Sequence, residues 1–152
     1  MYYDSNNYRN ECNCNRRKQC SDPPLVFNIE EATLKNDNYR TTVWTGNYLQ
    51  LTLMSIKPRC DIGIEMHEDV DQFIRIEQGN ALVQMGDCRG NLTFRRKVCD
   101  GWAILIPAGT WHNITNISNS RLKVYSLYAP PEHERGTVHR TKADAMADEH
   151  HG

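Results

Sequence analysis

From Leu25 to Tyr128 apolar residues come in short runs alternating with polar ones, as in Tyr48-Leu49-Gln50-Leu51-Thr52-Leu53 and Leu122-Lys123-Val124. A period of two is what a strand with one buried face produces. Turn formers punctuate the runs at Thr45-Gly46-Asn47, Gln78-Gly79-Asn80, Met85-Gly86-Asp87 and Asp100-Gly101. The spacing predicts about eight to ten strands over roughly a hundred residues with no internal helix, hence an all-β sandwich, jelly roll or barrel. The flanks differ. Residues 1–23, rich in Asn, Arg, Tyr and Cys and ending in the Asp22-Pro23-Pro24 turn signal, read as a disordered tail. After Ala129-Pro130-Pro131 the chain turns polar and Ala-rich, and Thr141 with Asp144 makes a capping-box-like start for a short surface helix through Glu149. The expected division is a tail (1–23), a barrel (24–131) and a C-terminal extension (132–152).

Composition narrows the partners. The 152 residues carry 18 Lys+Arg against 19 Asp+Glu, a net charge of −1, and without a cationic excess neither nucleic acid nor an anionic membrane is an expected partner. No stretch approaches the ~18 apolar residues of a membrane span, and the opening MYYDSNNYRN lacks the apolar core of a secretory signal. The expectation is a soluble, cytoplasmic protein. Six Cys and six His are the residues that first suggest chemistry. The Cys spacing is irregular, with Cys12, Cys14 and Cys20 in the tail and Cys60, Cys88 and Cys99 far apart. It forms no disulfide framework and reads as free thiols in a reducing compartment.

The most informative segment runs from Gly101 to Asn116. It reads as a strand, a tight Pro107-Ala108-Gly109 turn and a second strand that opens near His112. Gly101, Pro107, Gly109, His112 and Asn116 occupy all five defined positions of G-x5-P-x-G-x2-H-x3-N, and the segment thereby resembles the second signature motif of the cupin superfamily. The first cupin motif, G-x5-H-x-H-x3-4-E-x6-G, is matched in spacing more than in residue type. With its last Gly on Gly79, Gln72 takes the Glu slot, His67 the second His slot and Glu65 the first, while Arg59 replaces the opening Gly. The resemblance implies a double-stranded β-helix, the jelly-roll barrel of that family.

Glu65 and His67, two apart on an expected strand, face the same side. On the next strand Gln72 shares the inward face with Ile74 and Ile76. Burying Glu65, His67, Gln72 and His112 together without partners would cost several kcal/mol, and one divalent metal satisfies all four. Such a donor set suits Zn, Fe, Mn, Ni or Co. The remaining candidates read as structural. His133 and His139 flank the exit from the last strand, where the surface is the default and closing the barrel mouth the alternative; the terminal His150-His151 are expected at the surface, and Trp44, Trp111 and Tyr128 in packing roles. Alternation turns Arg75, Arg121 and Lys123 outward, leaving no evident phosphate clamp.

The chain resembles small cupins described as similar to mannose-6-phosphate isomerase. That likeness implies a metal that polarises a sugar carbonyl and a carboxylate, Glu65, that moves the proton as the catalytic base. An Fe(II)-dependent dioxygenase and a non-catalytic small-molecule-binding cupin are the alternatives. Cupins commonly dimerise, so a homodimer with residues 25–28 as an exchanged arm is also expected.

Overall fold

A computed structural model describes residues 21–151. In chain order it contains α1 (Ile29–Lys35), β1 (Arg40–Thr45), β2 (Gln50–Ile56), β3 (Asp71–Gln78), β4 (Asn80–Gly86), β5 (Phe94–Cys99), β6 (Ala103–Ile106), β7 (Trp111–Asn116), β8 (Leu122–Ala129), β9 (Val138–His139) and α2 (Lys142–His151). All strand pairs are antiparallel. They form a six-stranded sheet in the order β6-β3-β8-β2-β1-β9 and a three-stranded sheet in the order β5-β4-β7. This is the double-stranded β-helix implied by the sequence, with the two sheets closing over an apolar core. Ile56, Ile74, Ile76, Leu122 and Val124 supply one side of it, and Ala81, Val83, Val98 and Ile114 the other.

Cross-strand partners share a face, so register decides what enters the barrel. Along β3, Gln72, Ile74 and Ile76 are buried, as alternation predicts. Gln72 pairs with Ile106 on one side and Tyr128 on the other. At the Pro107-Gly109 turn, Gly109 has φ +81, a conformation that favours residues without a Cβ.

Three expectations require correction. The barrel segment does contain a helix: Asn28 caps α1 by accepting from the Glu31 amide at 2.9 Å, with Glu30 and Glu31 in its first turn and Lys35 in its last. Its seven residues are too few to show a period, and capping groups rather than a broad apolar face define it. Glu65 and His67 lie outside any named strand, and Glu65 meets β7 through an isolated bridge to His112. Lys123 is buried (5% exposed), because its ammonium donates to Asp37, 3.0 Å away, and to the Asn36 carbonyl in the segment after α1. Distant chain covers that face of β8, which alternation alone cannot reveal.

Helix α2 starts as its capping box suggests: Thr141 Oγ1 accepts from the Asp144 amide at 3.1 Å, and Asp144 accepts from the Thr141 amide at 3.3 Å. Ala145 is its buried residue, and Lys142 reaches Asp61 at 2.5 Å. The expected tail, with Cys12, Cys14 and Cys20, falls on residues 1–20, outside the described ones, apart from its last three positions. Cys60, Cys88 and Cys99 are free thiols. Among the described residues no helix is long and apolar enough to cross a membrane.

Candidate metal centre

The strip 61–65 runs beside β7 and extends the smaller sheet. Ile62 N–H donates to the Ile114 carbonyl at 3.0 Å, and Glu65 and His112 exchange both backbone hydrogen bonds, at 3.0 and 2.9 Å. That reciprocal pair sets the Glu65 and His112 side chains on one face. His67 is tied nearby by Gly109, whose amide donates to the His67 carbonyl at 2.8 Å. The Pro107-Gly109 turn therefore places His112 and steadies His67.

The three side chains converge. Glu65 Oε1 lies 3.4 Å from His112 Nε2 and 3.6 Å from His67 Nε2, and one donor atom from each residue lies within 4.8 Å of the others. Donors about 2.1 Å from a shared ion at a tetrahedral angle stand about 3.4 Å apart. The spacing fits one small divalent ion. Tautomers fit as well: His112 Nδ1 lies 2.9 Å from the Thr110 carbonyl, an acceptor, so Nδ1 carries the proton and Nε2 the lone pair. His67 Nδ1 faces Glu132 Oε1 at 3.2 Å and donates there, so Nε2 is the nitrogen that a metal would take in exchange for its proton. Both Nε2 atoms are buried without a hydrogen-bond partner. A metal is the acceptor of lone pairs that such a geometry lacks.

Gln72 lies on the opposite sheet beside Tyr128, whose ring stands edge-on 5.9 Å from that of His67. It is 4% exposed; Nε2 approaches Ser126 Oγ at 3.5 Å, while Oε1 is buried without a partner. The structure thus gathers Glu65, His67 and His112 and sets Gln72 on the wall next to them, with its amide nitrogen turned to Ser126.

Electrostatics follow this packing. Burial works to raise the Glu65 carboxyl, yet the imidazoles of His112 and His67 hold it down at about 2. For His67 burial pulls the other way from Glu132 and Glu65, which prevail and lift it to about 9. Burial, reinforced by the charge of Arg40, pushes His133 down to about 4. Burial also raises the Tyr128 phenol.

Sequence reasoning missed Glu132 and favoured the surface over the barrel mouth for His133 and His139. Both imidazoles are instead largely enclosed: His133 packs edge-on against Tyr128 at 5.1 Å, and His139 is 7% exposed. For His133 the device responsible is Gln50, fully buried. Its Oε1 accepts from the amides of Glu132 and His133 at 3.1 and 2.9 Å, and its Nε2 donates to the His133 carbonyl at 2.7 Å. Gln50 clips the segment after Pro131 over the barrel end and so delivers Glu132 to His67. Only a buried Gln on β2 could have signalled this, and strand alternation gives it no special mark.

The motif residues divide by role. Asn116, fully buried, donates to the carbonyls of Ile56, Lys57 and Ser120 at 3.0, 3.2 and 2.8 Å, tying β7 to two loops. Arg59, in the slot of the motif's opening Gly, adopts φ +64 and is the non-glycine residue with positive φ among those described. The backbone conformation asked of a glycine is thus present without one.

Residues 52–128 match the family model described as a cupin domain. The chain is 56% identical over 126 residues to YrkC of Bacillus subtilis (strain 168), covering 83% of this chain and 68% of that protein. It is 46% identical over 114 residues to protein L612 of Acanthamoeba polyphaga mimivirus, covering 74% of this chain and 69% of the relative. The crystal structure of BH2720 from Bacillus halodurans superposes with a TM-score of 0.82 at 57% identity, over 82% of this chain and 95% of that one. Shared barrel, matched segment and relatives agree, and the chain belongs to the cupin family.

Proposed function

We propose that this protein is a metal-dependent cupin that holds one divalent ion on Glu65, His67 and His112 and presents it to a small oxygen-bearing ligand inside the barrel. The observation that carries the reading is the pair of unpartnered Nε2 atoms aimed at one Glu65 oxygen, 3.4 and 3.6 Å away. A bound ion would act as a Lewis acid toward a carbonyl or hydroxyl oxygen of the ligand. The chain's own residues orient and enclose. Thr110 and Glu132 lock the two imidazoles, Glu65 supplies the negative charge, and Tyr128 keeps water from one side. Gln72 offers an unpartnered carbonyl oxygen from the facing wall.

In its finer form the reading is a sugar isomerase resembling mannose-6-phosphate isomerase, in which a carboxylate shifts a proton between neighbouring carbons. Glu65 faces both imidazoles, so the geometry favours Glu132 for that task, with its side chain 32% exposed and one oxygen on His67. The donor set of two imidazoles and one carboxylate favours a second reading, a ferrous oxygenase.

The test begins with elemental analysis of purified wild type and His112→Ala. Metal in the first and not the second is expected, and metal-free wild type would sink the reading. Chelator-sensitive uptake of solvent deuterium at C2 across an aldose and ketose panel then identifies an isomerase. Oxygen uptake with Fe(II) and not Zn identifies an oxygenase. Ligand binding without either reaction identifies a binding protein.

A further inference from the structure

Arg40, at the start of β1, pairs across the sheet with Met54, which pairs in turn with Val124, so its side chain leaves the backbone on the core-facing side. It is 5% exposed. Its Nη1 lies 3.1 Å from His139 Nδ1, and His139 Nε2 lies 2.9 Å from Asp148 on α2. A guanidinium only donates, so His139 accepts on Nδ1 and donates to Asp148 from Nε2. Among the described residues, Arg40 reaches a carboxylate only through that neutral imidazole. Its carbon stands 5.3 Å from the Tyr39 ring centroid, which steadies the cation without neutralising it.

Arg40 Nε is buried without a hydrogen-bond partner. With Nη1 turned to His139, the Nε–Nη2 edge remains, two parallel N–H groups at the spacing of a carboxylate. The buried Nε–H left unpaired is costly, and an anion from outside the chain seated on this edge would pair it. The surroundings point to where that anion lies. Tyr128 and His133, 5.1 Å apart, both feel the Arg40 charge, and Tyr128 also touches His67. Thr42, on the Arg40 face of β1, and Gln72 each hold a buried side-chain oxygen without a partner. The unpaired cation and the unpaired oxygens share one interior wall with the metal triad beside it.

We infer that the barrel binds a small hydroxylated organic acid, its carboxylate clamped by the Nε–Nη2 edge of Arg40 and its remaining oxygens turned toward Thr42, Gln72 and the metal centre. A neutral sugar leaves the guanidinium orphaned. A phosphate dianion calls for more positive charge than one guanidinium supplies. The metal end of this inference rests on the proposed function, whereas the anion end rests on Arg40 alone.

The test is calorimetric titration of the full chain, zinc-loaded and chelator-treated, with gluconate, glucuronate, malate, glucose and glucose 6-phosphate. Wild type, Arg40→Gln, Arg40→Lys and His112→Ala are compared, with metal content and melting temperature recorded for each. Expected is an acid that binds wild type and loses roughly 10- to 100-fold in Arg40→Gln with metal content unchanged. Arg40→Lys, which keeps the charge but not the two-pronged edge, should lose most of the same affinity, its melting temperature showing that it is folded. Glucose should not distinguish the variants. The inference is overturned if no acid binds wild type, if a folded Arg40 variant binds the acids as well as wild type does, or if glucose 6-phosphate is the preferred anion. Should wild type lack metal while acid binding still depends on Arg40, the metal reading fails and the carboxylate clamp stands.

Discussion

Glu65 and His112 are joined twice, by a reciprocal pair of backbone hydrogen bonds at 3.0 and 2.9 Å and by a carboxylate oxygen 3.4 Å from the imidazole Nε2. The first contact determines the second, since hydrogen-bonded partners on neighbouring strands project side chains together. Glu65→Gln keeps the backbone pair and removes the charge. It should weaken zinc binding by more than the roughly 10- to 100-fold that loss of an outer hydrogen-bond partner costs. Competition with a chromogenic chelator measures this, with unchanged circular dichroism confirming the fold.

Glu132 holds His67 from behind, Oε1 to Nδ1 at 3.2 Å. Glu132→Gln should lower zinc affinity by roughly 10- to 100-fold, less than Glu65→Gln does, because it loosens the ring without deleting a donor. Equal losses in the two variants would mean that Glu132 is itself a ligand.

The paired groups also set a pH dependence for the metal-free protein. His67, lifted from 6.5 to about 9, adds stability that is complete below pH 6.5 and lost as pH rises through 9. Glu65, lowered from 4.5 to about 2, adds stability present above pH 4.5 and lost as pH falls through 2. His133 works against His67, since its drop from 6.5 to about 4 gives stability present above pH 6.5 and lost as pH falls through 4. In chelator the melting temperature should therefore decline between pH 6.5 and 9. Saturating zinc should remove that decline, because a metal-bound imidazole nitrogen carries no proton to lose. A metal-free protein with no alkaline decline would contradict the Glu65–His67–Glu132 pairing.

Asn116 completes the second motif yet touches no metal donor. Its amide nitrogen supports three carbonyls and its oxygen accepts from the Ser118 amide at 2.9 Å. Asn116→Ala strands these groups and should destabilise the fold by about 2–4 kcal/mol, readable in urea titration, while zinc stoichiometry stays at the wild-type value.

These residues also show what local pattern can and cannot carry. Gly101, Pro107, Gly109, His112 and Asn116 act over one turn and its two strands, so their spacing alone places the imidazole. Gln72 was legible because a polar residue shared a face with Ile74 and Ile76. Lys123 was misread because what covers it, Asp37, lies far away in sequence. Glu132 and Arg40 escaped for a related reason. One reaches the triad through Gln50, and the other turns inward through cross-strand register with Met54. The members of the Glu65–His67–His112 cluster were readable from sequence, and the groups that orient them or charge the wall beside them were not.

The cupin match ends at Tyr128, short of Glu132, and begins at Thr52, just beyond Gln50. The clip and the carboxylate it delivers therefore belong to the flanks, as does Arg40. A barrel trimmed to the shared segment would keep all three clustered side chains while one of them, His67, lost its anchor. On the proposed reading, exchanging flanking sequence would retune imidazole basicity and anion preference while the Glu65–His67–His112 scaffold stays as it is, which would put chemistry and selectivity on separable stretches of the chain.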